Sequence, residues 1–323
     1  MLGAMPSQRQ DNHRQQAVLL VAMATVAIAF KGIFARFAYL EGTGVTELLL
    51  LRFVIATPLF LFIARLLAPG RGRADADFWR GCLAAGVLFF IATLCDFTAI
   101  ERIGASLSRI ILFTFPIFVI LLTALRDRRP PPGGQVVLFF VIYAALWLVV
   151  MPEGPAQLSA RSWEGILWAL GSAVSYAAFL VTSQVAMTRM GSVRFTALYN
   201  LVVLVLMLAY AALVDPPRAW PSAAAIQWGA AIAIGCTVIP FFLLFEGIRR
   251  VGAAQASLIT LAGPVITVLA AWLFLDEAMQ PIQWLGLATL VVGMGLLSGP
   301  ESWRQGLRRR IGLRPSRNGI SNG

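Results

Sequence analysis

The chain has 323 residues, 59% of them hydrophobic and only 13% charged, with a formal net charge of +11. Soluble domains average roughly 45–50% apolar and about 25% charged residues, so a mean hydropathy of +0.79 excludes a soluble globular protein and implies a polytopic membrane protein. The basic residues lie in short links between apolar runs and in the C-terminal tail, a topogenic placement and not a nucleic-acid footprint.

In chain order, residues 1–16 are polar and hold the single histidine, His13. A tail of this length and polarity, followed by many apolar runs, argues against a cleavable signal peptide. Crossing ~30 Å of hydrocarbon takes about 20 helical residues. Ten runs qualify: 17–38, 47–67, 79–100, 104–124, 135–151, 163–187, 195–214, 226–248, 253–274 and 282–299. Their links are short and rich in Gly, Pro and charge, as at 69–72, 126–132, 152–155 and 215–217. Cys82, Cys95 and Cys236 fall inside apolar runs without ligand-like spacing and read as small packing residues. The arginine-rich segment 300–323 resembles an anchor for anionic lipid.

Residues 97–116 and 245–264 align without a gap at an offset of 148, matching at Phe97/Phe245, Ile100/Ile248, Arg102/Arg250, Gly104/Gly252, Ala105/Ala253, Ile111/Ile259 and Pro116/Pro264. Each copy closes one apolar run, turns through a glycine and opens the next. A half-length repeat in a hydrophobic chain is the pattern of a duplicated carrier. With the N-terminus in the cytoplasm, 19 of the 26 basic residues fall inside, and only Arg102, Arg161 and Arg218 fall outside. Both termini are therefore expected to be cytoplasmic. Five spans per copy is an odd number, so the second copy must enter the membrane upside down. The expected fold class is an all-α membrane protein with ten transmembrane helices in two inverted-topology five-helix repeats, 17–151 and 163–299.

Five features are shared with a known group: LeuArgPhe at 51–53, Gly104…Pro116, Gly252…Pro264, SerTyrAla at 175–177 and LeuAspGlu at 275–277. On these the chain resembles the drug/metabolite transporter superfamily, specifically the EamA family of ten-span carriers, over about residues 17–299. The resemblance implies a secondary active transporter working by alternating access in a bacterial inner membrane. Export is the expected direction, and the substrate class is a small amino-acid-like, carboxylate-bearing or amphipathic metabolite. It also implies a cavity between the halves, lined by helices one to four and six to nine, with helices five and ten peripheral. Two departures stand out. The usual aromatic-Gly pair of helix one reads Phe30-Lys31-Gly32, and the helix-one carboxylate of the small multidrug-resistance relatives has no counterpart.

Lys31 is the only lysine, and it sits inside a span. At 1.5 Å per residue it lies ~20 Å above the inner end of helix one. An ionisable group at such depth is a functional hypothesis by default. Arg36, Arg52 and Arg109 lie at similar depth with Glu47 and Asp96 as the available acids. The cationic excess suits a carboxylate or phosphate. The alternative for each arginine is snorkelling to a nearby helix end, and for Asp96 a structural pairing with Arg109 or Arg52. Shifting Arg52 by 148 lands on Asn200, so one wall of the site is charged and the other polar, with Tyr176, Ser175 and Ser172 beside Asn200. The substrate-binding candidates are thus Lys31, Arg52, Asp96, Arg109, Tyr176 and Asn200. Glu246 and Asp96 are the proton-coupling candidates, although Glu246 can instead pair with Arg249 and Arg250 one turn on. Pro116 and Pro264 are the hinge candidates.

The expected partners are a small-molecule substrate, the lipid bilayer and protons as the coupling ion, with no cofactor, no metal and no nucleic acid. Monomer and homodimer both remain open. The competing classes are a channel or structural membrane subunit and, less well supported, an intramembrane enzyme. An enzyme would need a paired acid and base or a metal set, and the chain offers scattered acids and one tail histidine. GxxxxGK[ST] is absent, so no nucleotide-driven step is expected.

The topology is tested by thiol labelling of Gln157→Cys and Met190→Cys in intact and permeabilised cells. Position 157 should label from outside and 190 only after permeabilisation; labelling from the same side would refute the orientation.

Overall fold

The computed structural model describes residues 6–67, 76–128, 140, 141, 144, 159–217, 221–251, 259, 260, 262–277 and 279–298. Among the described residues every regular element is helical. Hydrocarbon offers no water to the backbone, so a spanning chain must satisfy its N–H and C=O groups within itself.

Six helices are long and apolar enough to cross a membrane: Gln15–Leu40, Val45–Leu67, Asp77–Leu112, Ala160–Ser183, Val193–Leu213 and Ala223–Leu244. Three shorter apolar helices cover Ile117–Arg126, Gly263–Leu275 and Pro281–Gly293. The expected fifth run, 135–151, lies outside the described residues apart from Phe140, Val141 and Ala144, and so does the tail 300–323.

The spans are more broken than an even hydropathy run suggests. Helix one divides into α1 (Pro6–Ala29) and α2 (Lys31–Leu40), with a turn at Phe30. It also begins at Pro6, so most of the polar N-terminal segment is helical and not an irregular tail. After α3 (Val45–Leu67), the 37-residue α4 (Ala76–Leu112) carries both span three and the start of span four through a bend at Gly104, φ 81°. A turn at Phe113 and Thr114 precedes α5 (Phe115–Asp127). Then come α6 (Ala160–Met190), α7 (Ser192–Leu213) and α8 (Ala223–Ala230). A π-helical stretch, Ala231–Val238, joins α8 to α9 (Ile239–Val251). The last two are α10 (Gly263–Leu275) and α11 (Pro281–Ser298).

The repeat is visible in the backbone. Pro116 and Pro264 are each the second residue of their helix, α5 and α10, where a missing N–H costs no hydrogen bond. Both helices end in the left-handed region, at Arg128 (φ 50°) and Asp276 (φ 53°), which are again 148 positions apart.

α4 packs most extensively on α6, α1 on α9 and α3 on α7. The main apolar cluster lies where α2, α3, α4 and α7 meet and includes Phe53, Phe97, Phe195 and Met207, all buried. Small residues set the closest approaches: a Cβ on Gly86 of α4 would lie 2.6 Å from Val202 Cβ and 3.2 Å from the Tyr199 carbonyl oxygen of α7. Polar ties collect at one end of the bundle. Trp228 donates to Glu41 at 3.2 Å, Thr46 to Asp215 at 2.5 Å, and Arg102 is paired with Glu164.

Gly86→Ala should lower the melting temperature of the detergent-solubilised protein, because overpacking against a backbone carbonyl typically costs about 1–3 kcal/mol. Gly171→Ala, whose new methyl would meet only Cys95 Sγ at 3.6 Å, should be tolerated. Equal melting temperatures for the two variants would contradict the α4–α7 packing.

Candidate functional site

The turn at Phe30 makes Lys31 the first residue of α2. Gly32 follows, and a Cβ there would stand in ordinary contact with Ala105 Cβ and Arg109 Nε, at 3.5 and 3.7 Å, so this turn of α2 packs directly on the segment after the Gly104 bend. Asp96 lies on α4 before the Gly104 bend and Arg109 after it, so the bend folds the two against each other. Lys31 Nζ meets Asp96 Oδ2 at 2.8 Å. Arg109 Nη2 donates to both Asp96 oxygens, at 2.9 and 2.8 Å. One carboxylate thus holds two cations from two spans.

Arg52, on α3, is the third cation. Its Nε donates to Thr237 Oγ1 at 3.2 Å, and Thr237 donates on to the Ile232 carbonyl at 2.8 Å, across one turn of the π-helical stretch. Such stretches widen the helix and recur at functional sites. The Arg52 guanidinium also lies over the rings of Phe53 and Phe97, 4.9 and 5.5 Å from their centroids, with Lys31 Nζ 5.5 Å from the Phe97 centroid. Arg52 Nη1 and Arg109 Nε are buried donors with no hydrogen-bond partner. At 3% and 4% exposure neither arginine snorkels to an interface, which corrects that reading. Asp96 does pair, but with Lys31 and Arg109; the Arg52 hydrogen bond goes to Thr237 instead.

The remaining candidates sit apart. Arg36 donates to the Glu101 backbone carbonyl at 3.3 Å. Tyr176, half-buried in α6, packs edge-on against Phe115 at 5.0 Å and alongside Phe179 at 5.9 Å. Asn200 is buried, and its amide donates back to the Thr196 carbonyl of its own helix at 2.8 Å. Ser172 ties α6 to the Ala92 carbonyl of α4 at 2.8 Å. Glu246 is half-buried on α9, the helix that packs on α1.

Pro116 and Pro264 open the helices that follow two backbone breaks, and the breaks touch. Phe113, in the turn before α5, lies 3.2 Å from where a Cβ on Gly263 would stand. Thr267 of α10 donates to the Ala29 carbonyl, freed by the break in helix one, at 3.0 Å. Thr237 and Thr267 escape a sequence reading because a threonine in an apolar run carries no signal of its partner. Phe97 was legible only as a match in the repeat.

The sequence pattern of the EamA-like transporter family matches residues 15–151 and 163–299. The chain belongs to this family. Membership makes the protein a multi-pass membrane transporter and not an enzyme. It is 32% identical over 296 residues to an uncharacterized transporter of Bacillus subtilis, YcbK, spanning 87% of this chain and 93% of that one. An uncharacterized Synechocystis transporter is 22% identical over 313 residues, spanning 89% of this chain and 94% of its own length. A solved crystal structure superposes with a TM-score of 0.62 at 18% identity, covering 86% of this chain and 96% of that one, a likeness of fold.

Asp96→Asn should destabilise this EamA-like transporter severely, since removing one partner of a buried charge pair costs about 3–5 kcal/mol. Lys31→Met should cost far less, because Asp96 keeps Arg109. Melting curves of the two variants check the order; Asp96→Asn melting no lower than Lys31→Met would contradict the shared-carboxylate geometry.

Proposed function

We propose that the protein is a secondary carrier for a small carboxylate-bearing metabolite, exported across the bacterial inner membrane by alternating access. Ten spans in two inverted repeats, with both termini in the cytoplasm, supply the architecture. The backbone supports the repeat through the paired left-handed ends at Arg128 and Asp276. Contacts of Arg36 with Glu101, Thr46 with Asp215, Glu41 with Trp228, Arg102 with Glu164 and Ala105 with Glu277 tie together links that the proposed topology puts on the outer face.

One observation supports the substrate class: Lys31 and Arg109 share the carboxylate of Asp96, Arg52 meets Lys31 over the Phe97 ring without an acid of its own among the described residues, and Arg52 Nη1 and Arg109 Nε are unpartnered. An unmatched buried donor costs about 1–3 kcal/mol, more when charged. An entering carboxylate supplies the missing acceptor and balances part of the charge, and guanidinium groups are suited to grip it. Lys31 keeps some exposure, with 15% of its side chain accessible, and is the cation that meets the substrate first. The rings of Tyr176, Phe179, Tyr199 and Phe89, in successive contact at 4.8–5.9 Å, offer an apolar wall for an amphipathic body. The breaks ahead of Pro116 and Pro264 meet at Phe113 and Gly263 and serve as hinges. Protons couple through the Lys31–Asp96 pair, with Glu246 as the acid on the cytoplasmic side.

Counterflow in proteoliposomes over a panel of carboxylate-bearing metabolites tests the function. Lys31→Ala should lower transport by about tenfold or more, the worth of one charge-assisted hydrogen bond, while Lys31→Arg retains more activity. Wild-type rates and an unchanged pH profile in Lys31→Ala would remove Lys31 from the mechanism.

A further inference from the structure

At the Gly104 bend the chain reverses through φ 81° and a new helical segment starts at Ala105. A helix start leaves N–H groups without intrahelical partners and presents a positive dipole end. Here both needs are met from the other repeat. Ala105 N–H donates to Glu277 Oε1 at 3.1 Å, and Ser106 N–H donates to Glu277 Oε2 at 3.0 Å. One amide faces each carboxylate oxygen, which is the arrangement a free carboxylate adopts at a helix N-terminus. Gly104 is required twice over, by its positive φ and because a Cβ there would lie 2.7 Å from Oε1 and 3.0 Å from Cδ of Glu277.

This is a tie between repeats, not a local cap, for the partners are 171 and 172 positions apart. Glu277 is the residue after the left-handed end of α10 at Asp276. It also lines a cavity of about 400 Å³ shared with Arg36, Arg102, Ser106 and Gln283, large enough for a small metabolite. Ser106 is 5% exposed, and its Oγ has no hydrogen-bond partner. A third donor without an acceptor therefore stands beside the two amides. Arg36 faces the same space with its guanidinium bonded to a backbone carbonyl.

We propose that Ala105 N–H, Ser106 N–H and Ser106 Oγ form a carboxylate-binding site at the mouth of the transporter, filled in this structure by the side chain of Glu277. When the two repeats part at this end, Glu277 withdraws and the site receives the carboxylate of a small metabolite. When they close, Glu277 returns and displaces it. The site itself follows from the geometry; its use by the transported molecule rests on the carrier reading above. In the sequence, shifting Glu277 by 148 lands on Arg129, a cation where the second repeat has a carboxylate.

The test is the melting temperature of the detergent-solubilised full chain in sodium acetate against sodium chloride at equal ionic strength. Glu277→Ala should melt several degrees below wild type in chloride and regain at least half of that loss in acetate. Wild type, whose site is filled, should respond equally to both salts. Should Glu277→Ala not fold, Glu277→Gln keeps the side-chain size and should show an acetate gain of the same sign and smaller amplitude. Absence of an acetate-specific gain in the variants, or an equal gain in wild type, overturns the proposal. Wild-type counterflow of a carboxylate metabolite is run in parallel. Acetate rescue without counterflow retains the site and overturns its role in transport, whereas counterflow without rescue retains the carrier and overturns the site.

Discussion

Each helix break in this bundle must find a partner for the backbone groups it releases, because hydrocarbon provides none. The carbonyl of Ala29 is taken by Thr267, the amides after Gly104 by Glu277, and the Ile111 carbonyl by the Thr114 hydroxyl at 2.7 Å. The Ile232 carbonyl of the π-helical stretch is taken by Thr237. Two of these partners come from a distant element, so a break is stable only where another helix arrives with the right side chain. The same requirement draws the irregular backbone together at the centre, where Phe113 meets Gly263. Lys31 stands at one break, Arg109 just beyond another, and Arg52 is bonded to the threonine of the π-helical stretch.

Electrostatics makes that centre costly to build. Buried ion pairs rarely stabilise a fold relative to apolar residues of similar volume, and here one carboxylate serves two cations while a third leans on aromatic rings. The faces of Phe53 and Phe97 offset part of the cost through their quadrupoles, and Thr237 offsets another part. An anionic ligand, as proposed above, would offset part of what is left. The surrounding core is apolar and closely packed, so the fold would gain stability from neutral side chains at these positions.

The broad architecture was legible in the sequence because hydropathy and charge placement are properties of whole segments. The helical membrane class was readable in this way, whereas the family resemblance rested on short motifs such as LeuArgPhe at 51–53 and LeuAspGlu at 275–277. The positions of Lys31, Asp96 and Arg109 near one depth were also readable, from rise per residue alone. Their pairing was not, since it depends on the bend at Gly104 bringing Asp96 and Arg109 of one continuous helix face to face. Repeat arithmetic aligned Asn200 with Arg52 but could not reveal that its amide donates to the carbonyl four residues back on its own helix. Glu277 was quoted as part of a motif without a role, because nothing in the chain near it reveals amides that lie more than half the sequence away.

The left-handed ends at Arg128 and Asp276 are twins by backbone, and the residues that follow them are opposites by charge, Arg129 and Glu277. A carrier assembled from two identical antiparallel subunits would be degenerate: its two open forms, related by the two-fold axis, would have equal free energy and equal population. Fusion of the halves into one chain removes that restriction. With a carboxylate after one left-handed end and an arginine after the other, the two halves are unequal in sequence, and no symmetry obliges the two open forms of such a carrier to be equally populated. For the inverted repeats proposed here, any preference for one side of the membrane would then be a property of the covalent chain as well as of the gradients across it.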